Sequence, residues 1–135
     1  MKRRGLLVLV AGITFMLAGC GASSLPEFTR EQTADDAITA LPAQEPSIDP
    51  NSTRFVGTVE STDLYLARAE NDALCVIQLQ GDEWEQTGCA TGDGIGIELE
   101  SGTLIEAGTY AFPENQVKDG QRVKLSESVS VITFP

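Results

Sequence analysis

Carboxylates are the only side chains present in sufficient number to do chemistry. The chain of 135 residues has 20 Asp and Glu against 9 Lys and Arg, and no histidine. Without imidazole there is no histidine base, no Ser-His or Cys-His nucleophile pair and no histidine-ligated zinc or copper. What remains is acid–base work by paired carboxylates, or oxygen ligation of a hard cation. Glu98 and Glu100 lie two residues apart on an alternating stretch, so they point the same way with Cα atoms roughly 7 Å apart. That spacing suits acid–base attack on a glycoside, and it equally describes a solvated strand face, which is the reading adopted. Asp93 with Glu98 or Glu100 would offer oxygens to calcium. However, Thr91-Gly92-Asp93-Gly94 lacks the alternating acids of a calcium loop and reads as a plain turn. Gly92, Gly94 and Gly96 run G-x-G-x-G, without the spacing or the strand–helix–strand setting of a dinucleotide site. They read as turn and bulge glycines. No catalytic, metal-binding or cofactor-binding residue is therefore assigned.

Two further groups could recognise rather than react. Trp84, the sole tryptophan, is flanked by Asp82, Glu83 and Glu85. Exposed, it would suit a cationic partner or a sugar ring; the reading adopted is a core residue beside a disulfide. Lys118, Arg122 and Lys124 gather three of the six positive charges beyond residue 20. They read as offsets to surrounding acids, with a docking patch as the alternative. Six bases against twenty acids in that stretch repel phosphate backbones, which excludes nucleic-acid binding.

The elements that must position these residues are strands. From Asn51 to Pro135 turn signals recur every eight to twelve residues, the spacing of an all-β sandwich or barrel. Strands are expected at 54–59, 64–69, 73–79, 84–90, 95–100, 103–106, 109–112 and 129–134. Asp119-Gly120 reads as a hairpin turn joining Val117-Lys118 to a strand at 122–125. The expectation is a small antiparallel sandwich or partly open barrel of seven to nine short strands with one disulfide. That bridge joins Cys75 and Cys89 across the third hairpin. A turn centred on Asp82 sets the two cysteines directly opposite. A turn centred between Gly81 and Asp82 pairs Leu79 with Trp84 and needs a bulge, placed near Gly88, to bring the cysteines level. Either bond closes a loop of about 15 residues, worth roughly 3 kcal/mol in the chain-entropy model. Thirteen intervening residues make it structural rather than a redox pair of the Cys-x-x-Cys kind.

The N-terminus reads as an address. Met1-Lys2-Arg3-Arg4 is basic, and 5–19 carry no charge. Fifteen residues rise only about 22 Å as a helix, short of a hydrocarbon core of about 30 Å, so this is a secretory signal rather than a permanent span. It ends in Leu17-Ala18-Gly19-Cys20, which resembles the lipobox of bacterial lipoproteins. The resemblance implies cleavage before Cys20, a diacylglycerol on its sulfur and residence on the extracytoplasmic face of the cell membrane.

Residues 20–50 contain Pro26, Pro42, Pro46 and Pro50, six acids and one base, and read as a flexible tether spanning about 30 Å. Within it, Thr29 and Gln32 fit a capping box, and Ala34, Ala37, Ile38 and Leu41 share one helical face before Pro42. A short helix over 30–41 is expected. At 12 residues it is marginal unless it docks, and it reads as a nascent helix in a solvated linker. The run Ser52-Thr53-Arg54-Phe55-Val56-Gly57, with Leu64-Tyr65-Leu66-Ala67-Arg68, Cys75, Trp84 and Cys89, resembles uncharacterised small envelope-anchored domains of high-GC Gram-positive bacteria. That resemblance implies a single membrane and an outward-facing domain, and it carries no activity. The functional expectation is a non-enzymatic, lipid-anchored binding module for an envelope protein, polymer or small ligand. The alternative is a carboxylate-based enzyme, or an accessory or inhibitory subunit of an envelope enzyme.

Overall fold

A computed structural model describes residues 24–135 apart from residue 40; the signal segment and Cys20 lie outside the described residues. The fold is all-β. Among the described residues, eight strands form two antiparallel sheets. The first sheet is a meander of β1 (Arg54–Val59), β2 (Thr62–Arg68), β3 (Leu74–Gln80) and β4 (Glu83–Ala90) in that order. The second holds β5 (Gly94–Glu98), β6 (Leu104–Gly108), β7 (Gln121–Lys124) and β8 (Val129–Thr133) in the order β5-β6-β8-β7.

Alternation along each strand explains how the sheets pack. Leu64 and Leu66 of β2 and Leu74 and Val76 of β3 face inward, and meet Ile95, Ile105, Ala107, Val129 and Val131 of the second sheet in one core. The residues between them face outward, yet Tyr65, Ala67, Cys75, Ile77 and Leu79 are buried too. A strand that is apolar on both faces is one covered on both faces. On the second sheet Leu104 and Ile132 likewise lie outward and buried, with Val117 and Phe112 over them.

The cover on the first sheet comes from the stretch expected as a tether. Residues 25–48 are not a free spacer. Leu25 is buried in the central core with Phe28 packed beside it, Ile38, Leu41 and Ile48 lie on the outer face of the first sheet, and Ile48 bridges to Ala69. Nor does a helix form over 30–41. A helical turn α1 (Pro26–Thr29) precedes that stretch, and the described residues within it hold only a single 3₁₀ turn, Ala34–Asp36. A 12-residue helix is marginal by itself, and tertiary bonds prevail over it. The capping pair is Thr33 with Asp36, while Gln32 donates to the hydroxyl of Thr53 at 2.8 Å. Asp36 is buried and accepts from the two terminal guanidinium nitrogens of Arg30 at 2.5 and 2.8 Å and from the Phe55 amide at 2.8 Å.

Two expectations in the second half of the chain also give way. Thr109–Phe112 is not a strand, and Asp119-Gly120 is not a hairpin: it follows a helical turn, α2 (Glu114–Val117). Val117 is buried on the second sheet, so this segment serves as a cover instead of joining the ladder. Gly94 begins β5 rather than lying in a turn, and Gly96 lies on that strand, within the expected 95–100 stretch. A Cβ on Gly96 would lie 2.2 Å from the Tyr110 ring, so glycine there opens the seat for the covering aromatics.

Candidate functional site

Along the disulfide hairpin, strand register decides which side chains reach the surface. Leu79 pairs with Trp84 and Gln80 with Glu83, leaving Gly81-Asp82 as the turn; one residue is then inserted on β4 between Gln86 and Trp84, so that Cys75 and Cys89 fall opposite. The bridge is formed with Cα atoms 4.1 Å apart. The bulge needed to level the cysteines is at Glu85 rather than near Gly88. Trp84 is not core: it is 40% exposed, lies on the outward side with Leu79, and its indole N–H donates to Thr87 Oγ1 at 2.8 Å.

Inward-facing positions of β3 read Leu74, Val76, Gln78, Gln80, apolar at one end and amide at the other. The sandwich is therefore dry at the end where β3 begins and opens into a polar cleft of about 660 Å³ where it finishes. Thr62, Gln78, Gln80, Glu85 and Gln86 of the first sheet line one wall, and Leu99, Glu100 and Ser101 of the β5–β6 turn line the other. Glu60 stands between them on the two-residue β1–β2 turn. Its carboxylate accepts from the Ser101 hydroxyl and, at 2.9 Å, from Thr103 Oγ1. These hydroxyls, Ser101 foremost, hold Glu60 below its ordinary pKa, so it stays an anion. The turn itself has an unusual backbone. Glu60 and Ser61 both take left-handed φ, 52° and 69°, in a turn where Asn-Gly is the relaxed choice. Non-glycine residues in that region cost about 1 kcal/mol each, and such outliers persist where surrounding structure over-determines them.

The other residues singled out from sequence are placed as follows. Glu98 and Glu100 are both exposed, and only Glu100 lines the cleft. Asp93 is held by Arg68 at 2.7 Å, and among the described residues no three Asp, Glu or Cys side chains are grouped to hold a metal ion. Arg122 donates to Glu106 at 2.8 and 3.2 Å, which raises its pKa; Lys118 and Lys124 are exposed beside it. Glu106 is buried and also accepts from the Phe112 amide at 2.6 Å, so it pins both the edge strand β7 and the aromatic cover. Glu60 and Glu106 were not legible as functional positions, because nothing local marks one acid among twenty. The left-handed Glu60-Ser61 turn was visible only as a turn.

The chain matches no protein-family model, no curated protein and no solved structure.

Proposed function

We propose that the protein is a non-enzymatic binding module, lipid-anchored through Cys20 on the extracytoplasmic face of the cell membrane, and that the polar cleft at the open end of the sandwich takes its ligand. The observation that carries this reading is Glu60: an ionised carboxylate, fixed by two hydroxyls on a left-handed turn, at the centre of a cleft lined with amides and acids. A carboxylate held deprotonated is suited to accept hydrogen bonds and to attract positive charge, whereas general-acid work calls for a raised pKa. The amides of Gln78, Gln80 and Gln86 add donors and acceptors on rigid strands, which favours a cationic ligand rich in hydroxyl or amine groups. A carboxylate enzyme would call for convergent acids of raised pKa, and Glu60 is shifted the other way.

The test is titration of the chain from residue 21 onward with amino sugars and polyamines, followed by NMR of the backbone and Gln side-chain amides. Shifts concentrated on Gln78, Gln80, Gln86 and Ser101, and abolished by Glu60→Gln, are expected. Shifts confined to Lys118, Arg122 and Lys124, or saturable binding unaffected by Glu60→Gln, contradict the cleft. For the anchor, Cys20→Ala is expected to release the protein from the membrane fraction, and retained fractionation would contradict it.

A further inference from the structure

The chain joins the sandwich at one end and the cleft opens at the other. Leu25 is buried in the central core. The Glu27 carboxylate accepts from Ser126 Oγ at 2.9 Å and from the Ser128 amide at 2.7 Å. The Phe28 ring lies 5.1 Å from the Arg68 guanidinium carbon. These contacts sit where β1 and β3 begin and β2 finishes. Glu60, Gln80 and Ser101 sit where β1 and β3 finish and β2 begins. The seven residues of β3 separate the two ends by about 20 Å.

Cys20 precedes Leu25 by only five positions in the sequence. Five residues reach at most about 18 Å, far less freedom than a tether running to residue 50 would allow. We propose that the domain stands end-on at the membrane on this short leash, with the cleft turned away from the bilayer. The proposal rests on lipidation of Cys20. Charge acts in the same direction: beyond residue 20 the chain has six bases and twenty acids, so an anionic lipid surface repels the domain. The cleft's partner therefore comes from the side facing away from the membrane, as a polar, cationic molecule rather than a bilayer lipid.

Asp72 and Gln80 are exposed residues bracketing β3, which makes them reporters for the two ends. The full-length lipidated protein, carrying one fluorophore through Asp72→Cys or Gln80→Cys, is reconstituted in phosphatidylcholine–phosphatidylglycerol vesicles with a headgroup-labelled energy acceptor. Transfer from position 72 is expected to exceed that from position 80 several-fold. A Gly/Ser insertion of about 15 residues after Gly21, which lengthens the leash into the flexible-coil range, is expected to remove most of that difference. Equal transfer from both positions in the uninserted protein, or stronger transfer from position 80, overturns the end-on arrangement while leaving the anchor intact. A protein that does not float with the vesicles and lacks the diacylglyceryl mass overturns the anchor, and the orientation with it.

Discussion

The two outer faces of the sandwich are covered by different means, and the contrast shows how so small a fold keeps both sheets dry. The first sheet is covered from before it in sequence: the 25–48 stretch lays Ile38, Leu41 and Ile48 over Ala67, Ala69, Ala73 and Cys75. The second is covered from within, by the excursion between β6 and β7, whose Tyr110 and Phe112 rings meet edge-on with centroids 5.0 Å apart over Gly96. A buried carboxylate helps to hold each cover. Asp36 gathers Arg30, Thr33 and the Phe55 amide on the first face; Glu106 gathers Arg122 and the Phe112 amide on the second. Small residues on each face let the cover approach closely: Ala67, Ala69 and Ala73 on the first, and Gly96 on the second. The difference is one of dependence: the first cover also supplies Leu25 to the central core, whereas no residue of the 109–120 excursion enters that core.

The comparison breaks most directly if residues 24–50 are removed. Losing the packing of Leu25 in the core and of Ile38, Leu41 and Ile48 on the outer face is expected to cost roughly 5 kcal/mol or more, at about 1.5–3 kcal/mol per large apolar side chain, a major part of the stability of a small domain. Urea unfolding checks this, and an unchanged midpoint would mean the stretch is a spacer after all. Next comes the bridge beneath the same cover. Cys75→Ala with Cys89→Ala opens a loop spanning 14 positions and is expected to cost about 3 kcal/mol, measured as a lower melting temperature.

Asp36→Asn should cost about 2 kcal/mol, because a buried carboxylate with charged and backbone donors is lost. Its acid dependence is a sharper signature. The Arg30 guanidinium beside Asp36, outweighing the cost of burial, holds that carboxyl well below the ordinary range. A carboxyl depressed in the folded state contributes fully above its unfolded pKa of about 4 and loses that contribution as pH falls further. Wild-type stability is therefore expected to fall between about pH 4 and pH 2, and the Asn variant to show a shallower decline over the same range. Equal slopes would remove Asp36 from the latch. On the second face, Gly96→Ala is expected to displace the Tyr110 ring at about 1 kcal/mol, seen as a small loss of stability and a change in tyrosine fluorescence. The smallest effect has the opposite sign. Glu60→Asn with Ser61→Gly relaxes the left-handed turn and should stabilise the fold by up to about 1 kcal/mol, while weakening whatever the cleft binds.

The strands were legible because period-two alternation and turn residues are local. Arg54–Val59 has the same bounds by pattern and by structure, and the cysteines could be paired from hairpin arithmetic. The bulge position was not, since Glu85 and Gly88 both level the cysteines and the choice depends on how Leu79 packs against its neighbours. Trp84 shows the same limit: alternation says which side it faces, and only tertiary packing decides whether that side is covered at its position. Of the cleft, the sequence marks Glu100 and Glu85 as candidates, but not Glu60 or the three glutamines. Their common property is a meeting of two sheets, with Glu60 and Ser101 standing 41 positions apart in the chain.

By itself, then, the amino-acid order determined the fold class, the strand spacing and the bridge, all set by contacts between near neighbours. Tertiary structure alone decided that 25–48 is a cover rather than a tether. A helix over 30–41 and a docked extended segment use the same apolar residues, and the outcome turns on a buried Asp36 finding the Phe55 amide, 19 positions away. It also decided where the polar end of the sandwich lies, because that depends on which glutamines face inward once two sheets have closed on each other.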